Sequence, residues 1–285
     1  MNWPNGLPLV VGVDGSRDSV RALGWALDVA ARLGVHVKVL HARGRRHPDT
    51  SSSVADGLLL SALAHQVVPS SDVTAADDDA EPVPMLVESG KDACIVVLGA
   101  RGHGRVAGAL TGSVSQHVAA LAPCPVVVVR EPADSASRTV VLGVDETADE
   151  PACLSPGSRD AAGFAFWFAS GMSARLTVLR AWQDAYLDRS GIVLPLNPEL
   201  AAEDRSAAIR ELDRSLADLV ARYPGVVVSR DVRPRHPQRL LVDASEHAGL
   251  VVVGSRGRGA VAGMLLGSVS QALLQHAACP VAVVR

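Results

Sequence analysis

The chain carries a second copy of itself. Residues 92–130 laid on 247–285 without a gap agree at roughly 23 of 39 positions. A second match pairs "LVVGVD" (Leu9 to Asp14) with "VVLGVD" (Val140 to Asp145), at an offset of 131 instead of 155. A duplicated unit has to fold as one block and then cover its twin, which removes most of the topologies open to 285 residues. The widening offset means that the second copy holds insertions. Matching Gly15-Ser16-Arg17-Asp18 to Gly157-Ser158-Arg159-Asp160, and Trp25 to Trp167, puts about eleven of them directly after Asp145, in the text "ETADEPACLSP" (146–156). Most of the remainder falls in 182–198. Two domains are expected, 1–134 and 135–285, joined by "EPADSASR" (131–138).

Each half alternates strand and helix. Leu9–Val13 is a short apolar strand. Residues 17–33 have a helical pattern, with Ser16 as N-cap and Gly34 as the stop. Val35–His41, Ile95–Leu98 and Val126–Val129 follow as further strands. Their unbroken apolar runs predict burial on both faces, the condition of a parallel sheet crossed by helices. In the second half, residues 199–222 place Leu200, Ile209, Leu212, Leu216 and Leu219 on one helical face before a Tyr223-Pro224-Gly225 stop, and Val226–Val232 reads as an edge strand. The corresponding edge of the first half reads as weak. Residues 43–84 hold a serine run, prolines and Asp77-Asp78-Asp79, so the edge strand is expected to be missing or cut to Val73–Ala75, and the acidic triplet to lie in a solvated loop. The fold class is therefore α/β, two tandem doubly wound parallel-sheet domains. Each last strand is apolar and leaves an edge that needs cover. Val126–Arg130 is expected to pair with Val281–Arg285 as an internal pseudo-dimer.

Composition narrows the function classes. A formal net charge of −3 argues against a nucleic-acid binder that works by bulk electrostatics. No apolar run reaches the roughly 20 residues of a membrane span, and the first residues lack a signal-peptide pattern, so a soluble cytoplasmic protein is expected. Cys94, Cys124, Cys153 and Cys279 form no CxxC pair and read as small buried apolar groups. The histidines show no ligand spacing; His41, His65 and His117 read as surface or satisfied groups.

The chemistry concentrates in two stretches, "GARGHGRVAGALTGSVSQ" (99–116) and "GSRGRGAVAGMLLGSVSQ" (254–271). Both follow a strand, both open a helix, and both have the spacing G-x2-G-x9-G-S: Gly99, Gly102, Gly112, Ser113 and Gly254, Gly257, Gly267, Ser268. Ligands of doubly wound sheets bind beyond the carboxyl ends of the strands. Glycine allows positive φ and close approach of phosphate oxygens to backbone N–H groups, while a helix N-terminus favours the anion. A phosphate cradle is the functional reading; tight turns and helix packing are the structural one. Neither GxxxxGK[ST] nor a GxGxxG in the first βα turn is present. Arg101 and Arg256 lie inside the turns, either pairing with phosphate or solvated.

Gly12-Val13-Asp14-Gly15-Ser16 after the first strand, the glycine spacing, and the closing Cys-Pro-Val-x-Val-Val-Arg segments at 124–130 and 279–285 together resemble the universal stress protein family, as a tandem member of its ATP-binding branch. The resemblance implies a five-stranded parallel sheet of order 3-2-1-4-5 in each half and ATP, with or without magnesium, as ligand. It implies that Asp14 and Asp145 contact the adenosine moiety, that Gly12, Val13, Gly143 and Val144 line it, and that Ala42 and Ala181 offer backbone groups to adenine. The insertion after Asp145 replaces the Gly-Ser that follows Asp14, which leaves the second site open to reshaping. Helix capping stays open as the alternative role of either aspartate. Three function classes remain: an ATP-binding stress-response regulator with slow or no hydrolysis, a nucleotide-independent scaffold, and an ATP-using enzyme of the adenine nucleotide α-hydrolase-like group. No catalytic or metal residue is assigned, and a homodimer of the whole chain is a further expectation.

Overall fold

The computed structural model describes residues 6–42, 73–78, 80–102, 111–130, 137–145, 154–182, 198–234, 236–257 and 265–285. The first half runs β1 (Leu9–Val13), α1 (Arg17–Leu33), β2 (Val37–Ala42), β3 (Val73–Asp78), α2 (Pro82–Ser89), a 3-10 turn (Gly90–Asp92), β4 (Ile95–Gly99), α3 (Ser113–Leu121) and β5 (Val126–Val129). The second runs β6 (Thr139–Val144), α4 (Pro156–Gly171), β7 (Arg175–Trp182), α5 (Pro198–Arg222), β8 (Val228–Pro234), α6 (Pro237–Ser245), β9 (Leu250–Gly254), α7 (Ser268–His276) and β10 (Val281–Val284). Among these residues no helix is long and apolar enough to cross a membrane.

All ten strands form one sheet, in the order β3-β2-β1-β4-β5-β10-β9-β6-β7-β8. Each half is parallel within itself and has the order 3-2-1-4-5. The halves meet at the centre, where β5 and β10 pair antiparallel with Ala282 opposite Val127 and Val281 opposite Val128. Pairing each half's last strand in this way removes both inner edges and relates the halves by an approximate two-fold axis. Successive strand residues alternate between two apolar layers: Leu9, Val11, Ile95, Val97 and Val127 face α1, α4 and α5, whereas Val10, Val96, Leu98, Val126 and Val128 face α2, α3, α6 and α7.

A reciprocal pair of arginines clamps the junction. Arg130, just past β5, donates to the Gln275 and Ala277 carbonyls at 3.2 and 3.1 Å, and also to the Leu274 carbonyl at the end of α7. Arg285, its counterpart past β10, donates to the Ala120 carbonyl of α3 at 2.9 Å. Each guanidinium thus satisfies carbonyls that a helix C-terminus leaves unbonded, in the other half of the molecule. Cys94, Cys124 and Cys279 are buried and free, and burial pushes their thiols up to about 11, 12 and 12. They pack as apolar groups; Cys153 lies outside the described residues, as does His65.

The structure corrects three expectations. First, β3 is present and six residues long, paired with β2 from Val37↔Val73 to Ala42↔Asp78, so Asp77 and Asp78 belong to an edge strand and not to a loop. An edge strand has one unpaired side, which tolerates charge in its sequence. Second, the second-half edge strand runs two residues later than Val226–Val232, as Val228–Pro234. Third, the register of the first insertion changes. Ser155, not Ser158, caps α4, accepting from the Ser158 N–H at 3.2 Å as Ser16 accepts from Ser19 in α1. Gly34 (φ 66°) and Ser173 (φ 49°), at the same spacing, are the left-handed residues that end these helices. The insertion is therefore eight residues, 139 against 131 in offset, and Trp25 corresponds to Phe164 instead of Trp167. Side-chain identity misled the alignment because capping geometry, not the Gly-Ser-Arg-Asp text, sets the helix start. Residues 131–136 of the linker and 146–153 of the insertion lie outside the described residues.

Replacing Arg130 by methionine leaves the Leu274, Gln275 and Ala277 carbonyls short of a charged donor. Urea denaturation is expected to show a loss of about 2–3 kcal/mol. An unchanged midpoint would show that the clamp contributes nothing to the junction.

Candidate functional site

At the carboxyl end of the first-half sheet, β1 and β4 stop side by side, with Gly12 paired to Leu98. A cleft of about 270 Å3 opens there. Its lining includes Gly12, Val13, Asp14, Ala42, Gly99, Gly102, Gly112 and Ser113, which are all eight first-half residues singled out from the sequence. It also includes residues the sequence reading missed. Leu40, Met85, Leu86 and Leu98 form an apolar wall, each less than about a tenth exposed. Ser19 and Ser115 are structural polar residues at the rim: the Asp14 N–H donates to Ser19 Oγ at 3.3 Å, and Ser115 Oγ donates to the Gly99 carbonyl at 2.6 Å. The second Gly-Ser-Val-Ser-Gln was the available signal for Ser115, since the same serine recurs as Ser270 and donates to the Gly254 carbonyl at 2.8 Å.

The glycines have different reasons. A β-carbon at Gly99 would lie 2.6 Å from the Asp18 carbonyl carbon, and one at Gly254 would lie 2.8 Å from the Gly157 carbonyl carbon. Here glycine lets the strand end touch the first turn of α1 or α4. At Gly102 a β-carbon would collide with Asp14 Oδ2, and at Gly257 it would come within 2.9 Å of Asp145 Oδ2. Each aspartate therefore rests on its glycine turn. Gly112 and Gly267 differ from both. They are the N-caps of α3 and α7, at φ −69° and −72°, a conformation any residue adopts. Among the described residues a β-carbon there would meet nothing closer than 3.5 Å and 3.4 Å, ordinary contact distances. Among the described residues the positive φ values of glycine fall on Gly6, Gly15 and Gly34, so none of the described glycines of the two cradles makes a left-handed turn.

Helix capping is not the job of the aspartates. Ser16 and Ser155 cap α1 and α4, while Asp14 Oδ1 accepts from the Ser16 N–H at 3.0 Å and Asp145 lends its N–H to Ser158 Oγ at 2.8 Å. Gly112 and Gly267 cap without a side-chain bond, and the first-turn amides of α3 and α7 have no carbonyl of their own helix to reach. His117 is satisfied by the Ser113 carbonyl at 2.7 Å.

The second half repeats the arrangement. Gly143 packs against Leu241 and Val253 as Gly12 packs against Leu86 and Leu98, and the Gly254, Gly257, Gly267, Ser268 set follows β9 as its twin follows β4. Val144 ends β6, Asp145 follows it, and Ala181 lies one residue before the end of β7. One charge differs. Asp18 holds Arg101 (Nε to Oδ2, 3.3 Å) and Arg21 (3.0 Å). The position equivalent to Asp18 is Gly157, so among the described residues no carboxylate stands opposite Arg256 at that place.

Two doubly wound units, each ending a central strand beside a glycine turn and a helix N-terminus, define a tandem α/β protein, and in the first half these features line one cleft at the switch point. The chain belongs to the universal stress protein family: that family's model matches residues 8–130 and again 137–285. It is similar to the Mycobacterium tuberculosis universal stress protein Rv2005c, at 35% identity over 302 residues covering 97% of this chain and 96% of that protein. It is also similar to universal stress protein Rv2623 of the same organism, at 34% over 312 residues, covering 98% and 96%. Among solved structures, a universal stress protein from Archaeoglobus fulgidus superposes with a TM-score of 0.63 at 18% identity, covering 98% of each chain, a likeness of fold.

Alanine at Gly99 is expected to lower the unfolding free energy by about 2–3 kcal/mol, since backbone on both sides has to separate. Alanine at Gly112 should change it by less than about 0.5 kcal/mol. Denaturant melts of the two variants check the contrast.

Proposed function

We propose that the protein is an ATP-binding cytoplasmic stress-response regulator, with one nucleotide site in each of two domains divided near residue 134. The observation that carries this reading is Gly112 and Gly267. Neither backbone conformation nor packing against the described residues calls for glycine at these two positions, and glycine costs chain entropy on folding. A bare N-cap at a helix start is what a phosphate oxygen needs to reach the amides behind it. The apolar wall of Leu40, Met85, Leu86 and Leu98 suits a flat base, with the Ala42 backbone beside it; Ala181 holds the corresponding position in the second half. Asp14 and Asp145 suit ribose hydroxyls, to which a carboxylate accepts strong hydrogen bonds.

The reading is of binding, with hydrolysis slow or absent. Among the described residues lining the first cleft the ionisable side chains are Asp14 and Arg101, and Arg101 is tied to Asp18. Occupancy then acts by shifting conformation or partner choice, and its stabilising effect grows with free nucleotide by mass action. A homodimer of the whole chain is compatible with this role.

Calorimetric titration with ATP and magnesium is expected to give two binding events per chain. Gly112→Ala and Gly267→Ala should each weaken one of them at least about tenfold, because the new methyl group occupies the phosphate approach. No heat and no thermal shift in the unsubstituted protein would overturn the reading in favour of a nucleotide-independent scaffold. The two sites should also differ. With Arg101 neutralised by Asp18 and Arg256 facing Gly157, the preference for ATP over AMP is expected to be about two- to fivefold larger in Gly112→Ala, which retains the second site, than in Gly267→Ala.

A further inference from the structure

A second cleft, of about 790 Å3, lies where the two halves meet on the α1 and α4 side of the sheet. Its described lining carries four guanidinium groups, Arg21, Arg32, Arg130 and Arg138, against one carboxylate, Asp28. Trp25 and Phe168 form its apolar wall, stacked at 6.0 Å with their planes 5° apart. None of these residues lines the glycine-floored cleft.

The internal two-fold provides a control, because each lining position has a counterpart in the other half. With α4 offset from α1 by 139 residues, β6 from β1 by 131, and β10 from β5 by 155, Arg21 corresponds to Asp160, Arg32 to Gly171 and Arg138 to Leu7. On that side the space is filled: the Leu33 side chain packs directly onto Gly171, and Leu7 joins the core. Only the clamp, Arg130 with Arg285, is kept in both halves. The fold therefore stands without Arg21, Arg32 and Arg138, and a cluster of like charges around an open cleft opposes folding by self-repulsion. Arg21 is offset by Asp18. Among the described residues no ion pair holds Arg32 or Arg138, both exposed. Arg130 Nε is buried and has no hydrogen-bond partner among the described residues, although the other nitrogens of that group bond α7 carbonyls.

We propose that this cleft is a separate binding site for a compact polyphosphate anion, held between the two halves by the exposed guanidinium groups of Arg32 and Arg138. Planar guanidinium forks match phosphate oxygens bidentately, and the volume suits a small-molecule ligand. An anion here contacts the start of β6 in one half and α1 and the end of β5 in the other. It therefore ties the halves together independently of the nucleotide clefts.

The test is calorimetric titration of the full chain with inorganic tripolyphosphate at fixed ionic strength. The unsubstituted protein is compared with the Arg32→Gln/Arg138→Gln variant, whose exposed side chains leave the fold intact by thermal melt. Asp160→Arg serves as a second variant, adding positive charge at the filled counterpart position. The expected result is a binding event weakened at least about tenfold in the double variant, unchanged in Asp160→Arg, with ATP titrations alike in all three. Identical tripolyphosphate isotherms in the unsubstituted and double-variant proteins would overturn the proposal. So would no binding up to about 1 mM, or an equal response to Asp160→Arg that marks bulk charge alone.

Discussion

The antiparallel pairing of β5 with β10 is the constraint on which the rest of the molecule depends. A five-stranded parallel unit ends in an apolar strand, Val126–Val129 or Val281–Val284, whose outer edge has unmet N–H and C=O groups. Placing the two edges together satisfies both ladders and buries Val127 against Ala282 within one continuous sheet. It also brings the C-terminus of α7 to Arg130 and that of α3 to Arg285, so helix ends in each half are completed by a cation from the other. A single chain bearing both copies achieves at fixed stoichiometry what two separate copies would have to achieve by association.

Within each half, the site depends on how closely β4 or β9 approaches the helix after the first strand. Gly99 and Gly254 permit backbone-to-backbone contact with the start of α1 and α4, and that contact positions the glycine turns beneath Asp14 and Asp145. The first-half cleft is thus a by-product of tight packing around it, and its floor is backbone because glycine leaves no side chain there. The halves diverge only where packing does not forbid it. Asp18 became or came from a glycine without altering the cap, because Ser16 and Ser155 perform the capping. On the α1 side, arginines stand where the α4 side has Asp160, Gly171 and Leu7.

Much of this was legible in the residues. The duplication, the alternating elements and the pairing of the two closing strands follow from apolar runs, caps and repeat spacing, because burial on two faces leaves an unmistakable composition; the strand order came from the family resemblance. All eight first-half residues read as a site line one cleft. The register of α4 was not legible. Eight inserted residues and a chance Gly-Ser-Arg-Asp defeated text matching, and only the hydrogen bond from Ser158 N–H to Ser155 Oγ reveals where the helix starts. The edge strand β3 was obscured in the same way, since Asp77 and Asp78 have low strand propensity and are held by pairing with β2.

The sequence by itself determined that there are two related α/β units and where in each a glycine turn meets a helix start, because those features rest on local backbone geometry and on periodic burial. Tertiary structure alone decided what each glycine is for. Gly99 answers the backbone of Asp18, 81 residues away in the chain, whereas Gly112 has room among the described residues for a side chain it lacks, and no spacing rule separates the two. It alone also gathered Arg32, Arg130 and Arg138 around one cleft. Positions so far apart in the chain become neighbours only once the β5–β10 junction has folded one half onto the other.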